Sequence, residues 1–350
     1  MADQGAAQGA PFGGRLDVAS RGLGGSVRYA SDEFFADAHN LIEPGPPGHD
    51  PAAFGIRGKV YDGWETRRRR EPGEDFAIVA LAAPAVPRGM NIDTTHFRGN
   101  YPPRAVVDGA TLLGYPALDD LLAADWVPLT GAAELAGNQA NLVPVTAADR
   151  LVTHVRLRIQ PDGGVARLRV FGDIVPDPRR LGGRVDLAAA LAGGQVTACS
   201  NMFYAAPGNV LAPGRARVMS DGWETERRRD QGNDWLVVRL AAPGLLHHVI
   251  IDTTRFAGNA PGAARLSDAE SGAELLPRTR LLPDTEHWFR IRVAGPAREV
   301  RLDIYPDGGI SRLRLAGEVP PARRDAIAQH WLSLLPPGVA ATVDRTEFFS

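Results

Sequence analysis

Asp62-Gly63-Trp64-Glu65-Thr66 returns 159 positions later as Asp221-Gly222-Trp223-Glu224-Thr225. The same spacing separates Ile92-Asp93-Thr94-Thr95 from Ile251-Asp252-Thr253-Thr254, and Gly99-Asn100 from Gly258-Asn259. Pro161-Asp162-Gly163-Gly164 returns as Pro306-Asp307-Gly308-Gly309 after 145 positions, and Ser31 and Asn40 match Ser200 and Asn209 after 169. A repeat of this period sets the architecture before any single element is read. Five matches in one order are beyond chance, so the chain is two homologous domains. The changes in spacing place two insertions in the first copy, ten residues between Asn40 and Asp62 and fourteen between Asn100 and Pro161.

Working outward, the copies divide the chain into a tail over 1–20, a first repeat over 21–172, a linker over 173–197, a second repeat over 198–335 and a C-terminal tail over 336–350. The Ala/Leu-rich stretch Val185 to Leu191 predicts a short helix in the linker, and Arg324 to Leu335 another, stopped by Pro336. Each copy otherwise reads as β. Phe76 to Leu81 and Trp235 to Leu240 are short apolar runs, and Met90 to Thr94 and Val249 to Thr253 are β-rich runs that end in polar clusters. Val155, Leu157 and Ile159 alternate with Arg156 and Arg158, and beyond the Pro-Asp-Gly-Gly turn Leu168 and Val170 alternate with Arg167 and Arg169. Period two puts the apolar residues on one face and the arginines on the other, and Asp-Gly predicts a hairpin between the two runs. Short strands and turns with short helices only in the linker and C-terminus predict an all-β fold of two tandem sandwiches.

Composition narrows the function. Basic and acidic residues nearly balance, 39 against 41, which disfavours nucleic acid as a main partner. The single cysteine, Cys199, has no internal partner, so a reducing cytoplasm fits. No run approaches the roughly 18 apolar residues of a membrane helix, and Met1 to Gly14 reads as a Gly/Ala-rich tail rather than a signal peptide. No His-x-x-x-His, Cys-x-x-Cys or phosphate-loop motif is present, so no metal ligand is assigned and no cofactor is required. A divalent ion on oxygen ligands stays compatible with the composition. His247 and His248, as strand neighbours, point opposite ways and make a poor metal pair.

From about Ser31 to about Gly317 the chain resembles the allantoicase family. In the first copy the resemblance is carried by Ser31 to Phe35 with Asn40-Leu41-Ile42, Asp62 to Arg69, Asp93-Thr94, Phe97, Gly99 to Pro103, His154, Arg156, Leu157 and Pro161 to Gly164. In the second it is carried by Cys199 to Phe203, Asn209, Pro213-Gly214-Arg215 and Asp221 to Arg229. The doubled Asp-Gly-Trp-Glu-Thr block in this order is specific where one block is not. The resemblance implies tandem jelly rolls like galactose-binding domains, and hydrolysis of allantoate to urea and (S)-ureidoglycolate in purine breakdown. The copies are not equivalent: Glu299 stands where the first has His154, and Ala260 where it has Tyr101.

Allantoate carries one carboxylate and two ureido groups on one carbon. A site for it needs an arginine for the carboxylate, polar groups for the ureido arms and an acid or base to move protons. Asp62, Glu65, Asp221 and Glu224 are the acid–base candidates; the structural alternative is an Asp-Gly turn beside a core Trp. Arg68 and Arg227 are carboxylate holders within arginine runs of which only alternate members face one way, and the alternative is a solvated ladder. Asp93, Thr94 and Asn100, with Asp252, Thr253 and Asn259, lie at strand exits that suit either substrate contacts or turn caps. Glu33 is placed at the lip of the pocket and His154 on the arginine face; His96 reads as a surface histidine, with a base as the alternative. The expected partner is a small-molecule substrate, in a homo-oligomer. A rival reading is a non-catalytic tandem jelly roll that binds a small ligand or carbohydrate, since fold alone does not give function. A third gives catalysis to one copy only.

Overall fold

A computed structural model of the chain describes Phe12 and residues 15–292 and 295–350. It divides into two compact units, one over 11–174 with 334–343, the other over 175–333 with 344–350. Each is described by itself.

The first unit is built on one 19-residue strand, Asp75–Asp93. The runs Phe76–Leu81 and Met90–Thr94, read as separate strands, are the two ends of it. Its first half lies between Ser26–Ala30 and Val152–Gln160, and the latter pairs onward with Arg104–Ala110. Its second half lies between Ala140–Pro144 and Arg167–Ile174, and the latter pairs with Leu16–Asp17. All pairings are antiparallel. The register against Val152–Gln160 jumps from Ala80 to Ala85. Pro84 falls in this break, where a residue without an N–H can be tolerated. The sheet therefore folds over on itself, and apolar residues from both halves fill one core: Ala77, Val79, Val155, Leu157 and Ile159 from one side, Met90, Ile92, Leu168 and Val170 from the other.

The second unit repeats this plan. Its long strand, Asp234–Asp252, lies between Gln195–Cys199 and Ala297–Tyr305 in one half and between Glu286–Arg290 and Arg312–Glu318 in the other. The register break recurs between Arg239 and Gly244, around Pro243. The molecule is thus all-β, two tandem antiparallel sandwiches. Among the described residues no helix is long and apolar enough to cross a membrane.

Several expectations change. The inward alternation in Val152–Gln160 and Arg167–Ile174 is present, but these strands do not pair with each other, so the hairpin is absent. Gly164–Val165 pairs instead with Trp64–Glu65, and the chain crosses from one half of the sandwich to the other. Period two sets which face is buried, not which strand is the neighbour. No α-helix forms over Val185–Leu191; helix is limited to a 3-10 turn at Ala190–Ala192. Val185–Asp186 is a strand on Ala316–Gly317, held by the Leu315 N–H donating to the Asp186 carboxylate at 2.8 Å, so much of the stretch read as linker builds the second sandwich. Likewise Leu16–Asp17, within the stretch read as tail, is a strand of the first; residues 1–11, 13 and 14 lie outside the described residues. Helix is not confined to linker and C-terminus, because Leu118–Leu122 forms a turn of α-helix in the fourteen-residue insertion. The C-terminal helix runs over Pro321–Ser333. The tail beyond it is packed: Phe348 meets Trp331 edge-on, and the Phe349 N–H donates to the Pro178 carbonyl at 2.8 Å.

Candidate active site

In both sandwiches a two-residue strand carries the acid. Trp64–Glu65 pairs with Gly164–Val165, and Trp223–Glu224 with Gly309–Ile310. Strand alternation sends the Trp inward and the Glu outward. Trp64 and Trp223 are fully buried, and each indole N–H donates to a backbone carbonyl, Asp32 at 2.7 Å and Asn201 at 2.8 Å. The Glu is then met by the conserved-in-both-copies amide: Asn100 Nδ2 donates to Glu65 Oε1 at 2.7 Å, and Asn259 Nδ2 to Glu224 Oε1 at 2.5 Å.

The Pro-Asp-Gly-Gly turn places that amide. The Gly164 N–H donates to the Asn100 carbonyl at 2.7 Å, and Gly309 to Asn259 at 2.9 Å. Gly163 and Gly308 have φ of 138° and 129°, a backbone that favours glycine. Their N–H groups donate to the hydroxyls of Thr66 and Thr225 at 3.1 and 3.0 Å. Thr66 is buried, so Thr66→Val leaves the Gly163 N–H without an acceptor. Equilibrium denaturation of T66V should show a loss of about 1–2 kcal/mol.

The acids differ in electrostatics. Burial pushes the Glu65 carboxyl up, against the Asn100 hydrogen bond. Asp62 goes the other way: burial alone would raise it, but the hydrogen bond from Arg167, the Gly48 N–H and the guanidinium charge together hold it low. Its Oδ2 receives Arg167 and Gly48, both at 2.7 Å. Asp221 is also held low; burial opposes this and is outweighed by the Arg217 backbone and side chain, at 2.9 and 3.2 Å. Asp62 and Asp221 are thus occupied as loop pins, while Glu65 and Glu224 each receive one neutral donor.

The remaining candidates separate. Asp93 and Asp252 cap turns, accepting the Thr95 and Thr254 N–H groups at 2.8 Å. Thr94 and Thr253 are fully buried and donate to loop carbonyls, Ala136 and Leu282, at 2.6 Å. Glu33 accepts the Ala38 N–H at 3.0 Å. His154 is buried against the Thr153 hydroxyl at 2.9 Å, and burial, then the Arg28 charge, push it down to about 4. These contacts answer to local structure. Arg68 and Arg227 are exposed and have no hydrogen-bond partner among the described residues. His247 Nε2 meets Glu318 at 2.8 Å, and among the described residues no three His, Cys, Asp or Glu side chains group as a metal site.

A cavity opens at one member of each Glu–Asn pair, Asn100 in the first repeat and Glu224 in the second. The first repeat's, about 230 Å³, is lined by His49, Lys59, Tyr61, His96, Arg98, Gly99 and Asn100. The second's, about 590 Å³, is lined by Tyr204, Val218, Met219, Ser220, Glu224 and Arg255. Sequence reasoning passed over His49, Lys59 and Tyr61, although the ten-residue insertion directly before the Asp-Gly-Trp-Glu-Thr block was a signal. His96, read as a surface residue, lines the cavity, as does Arg255 at the matching position. Both have positive φ, 71° and 75°, and both N–H groups are held at 2.8–2.9 Å by a loop side chain, Asn138 or Asp284. Non-glycine residues in this conformation concentrate at functional sites.

The family model described as the allantoicase repeat matches twice, over residues 16–175 and 185–320. A protein of Nocardia farcinica named probable allantoicase is 53% identical over 310 residues, 87% of this chain and 94% of the relative. A probable allantoicase of Streptomyces coelicolor is 47% identical over 327 residues, 88% and 87% of the two chains. The crystal structure of allantoicase from Saccharomyces cerevisiae is similar with a TM-score of 0.75 and 34% identity, covering 86% of this chain and 92% of that one.

Proposed function

The chain belongs to the allantoicase family, and from that premise we propose that it hydrolyses allantoate to urea and (S)-ureidoglycolate at the cavities beside Glu65–Asn100 and Glu224–Asn259. The observation that carries the placement is a glutamate held by one asparagine in both repeats, with one member of each pair lining a cavity. In the reaction the central carbon exchanges a C–N bond to one ureido group for a C–O bond to water. A proton must leave the water and one must reach the departing nitrogen, which becomes urea. A glutamate whose carboxyl is raised by burial holds or releases a proton nearer neutral pH than an exposed one. Asn100 occupies Oε1 and so orients the group. Lys59, Arg98 and the exposed Arg68 are cations available to the substrate carboxylate, and Arg255 lines the second cavity. Asp62 and Asp221 support this arrangement by fixing the loops that precede the acids. A homo-oligomer in the cytoplasm belongs to the same reading; the lone Cys199 suits a reducing compartment.

The test is urea release. Purified protein with allantoate should yield urea and ureidoglycolate, and allantoin offered in parallel should yield none. Absence of urea from allantoate, both with and without added divalent metal, overturns the reading and leaves a binding protein.

A further inference from the structure

The two cavities are built from the same framework but carry different charge. In the first repeat two cations, Lys59 and Arg98, and two imidazoles, His49 and His96, converge with Tyr61 and Asn100. The imidazoles stack with centroids 4.9 Å apart, and Lys59 Nζ sits 5.7 Å from the Tyr61 ring. Neither Lys59 nor Arg98 has a salt bridge among the described residues. Several arginines elsewhere in this sandwich are paired with acids: Arg67 with Asp32, Arg69 with Asp75, Arg156 and Arg158 with Asp108, Arg167 with Asp62. Two cations left unpaired in one cleft are a standing attraction for an anion. The nearby acids do not cancel it. Asp62 is taken by Arg167, Glu65 is not among the lining residues and accepts from Asn100, and Asp50 stands beside His49 on the solvent side. The positive field is felt by His49, held low first by burial and then by Lys59, His96 and Arg98.

The second repeat lacks this equipment. Arg98 corresponds to Ala257, and His49, Lys59 and Tyr61 lie in the stretch lengthened by the ten-residue insertion. Its lining holds one cation, Arg255, and one acid, Glu224, with Tyr204, Val218 and Met219 as walls. Its charges cancel and its walls are more apolar.

Resting on the allantoate reading, we infer that the two pockets have divided the ligand chemistry: the first repeat's is the anion-selective pocket, in which Lys59 and Arg98 hold the carboxylate of a small ureido acid, whereas the second repeat's takes a ureido ligand without selecting for its charge. Lys59 and Arg98 are thereby specificity-determining residues of the first pocket.

Two probes separate charge from shape. N-carbamoylglycine has one ureido group and one carboxylate, and N-carbamoylglycinamide is its neutral counterpart. By calorimetric titration the wild-type protein should bind the carboxylate probe at least about tenfold more tightly, a difference typical of a charge-assisted pair. The double variant Lys59→Gln with Arg98→Gln should lose most of that preference, while Arg255→Gln keeps it within about twofold. Single variants at Lys59 and Arg98, each expected to lose part of it, serve if the double variant fails to melt as a folded protein. No preference in the wild type, no binding of the carboxylate probe, or a preference removed by Arg255→Gln and kept by the double variant overturns the inference. Urea release from allantoate is measured alongside. Turnover with no effect of the Lys59/Arg98 changes sinks this division and spares the hydrolase, whereas the preference without turnover does the reverse.

Discussion

In a background carrying Glu224→Gln, so that only the first repeat can turn over, Glu65→Gln should lower kcat for allantoate by roughly 100- to 1000-fold, the usual contribution of one positioned acid or base, and should not lower the melting temperature at pH 7. The two halves of this result have one cause. The Glu65 carboxyl is raised by burial beside a single neutral donor. A group whose folded value lies above its unfolded value adds stability that is fully present below the unfolded value, about 4.3 for glutamate, and lost as pH rises through the folded one. At pH 7 the ionised Glu65 therefore weighs against the fold, and the neutral glutamine removes that cost while still accepting from Asn100 Nδ2. The advantage of E65Q over wild type should shrink as pH falls to about 4, where the glutamate is protonated in both states. Steady-state urea release and melting curves at pH 4 to 8 check both parts. A fall in stability at pH 7 matching the fall in activity would mean that Glu65 is structural. Glu224→Gln, made separately, compares the repeats: full activity with it and none with E65Q would give catalysis to the first repeat alone, while equal partial losses would give it to both.

Gly163→Ala should lower the stability of the first sandwich by about 3 kcal/mol, combining a strained positive φ with a backbone clash. A Cβ at Gly163 would stand 2.7 Å from both the Asn100 carbonyl oxygen and the Pro102 nitrogen. These are backbone atoms and cannot swing aside as a side-chain tip would. For a domain of this size the melting temperature should fall by roughly 6–12 °C. Catalysis should suffer too, because the atom displaced belongs to Asn100, which orients Glu65. Gly308→Ala tests the same device in the second repeat, where the Cβ would clash with the Asn259 carbonyl. Calorimetry showing an unchanged transition would refute the claim that this turn demands glycine. A normal KM with a reduced kcat at permissive temperature would separate misplaced chemistry from lost binding.

Both predictions start from residues that the bare sequence singles out, yet neither could have been written from it. Repetition at a spacing of 159 marks Glu65 with Glu224 and Asn100 with Asn259, because two copies under one fold keep what each site and each turn requires. It cannot show that the Asn meets the Glu, since 35 residues separate them and only the turn around Gly163 brings them together. Nor does it separate Asp62 from Glu65, three residues apart and equally repeated. Arg167 and the Gly48 N–H claim the first, and neither lies near it in the chain. Local alternation likewise identifies the buried faces of Val152–Gln160 and Arg167–Ile174, but partner choice depends on the long strand Asp75–Asp93 passing between the halves of the sandwich. What the sequence by itself determined is therefore the duplication, the all-β class, the family and the inward face of each strand, all encoded in residue identity and short-range periodicity. What only the tertiary structure decided is which acids are already satisfied, which cations are left unpaired, and that His49, Lys59 and Tyr61 belong to the first pocket. Those properties depend on distances between segments remote in the chain, and no local pattern carries them.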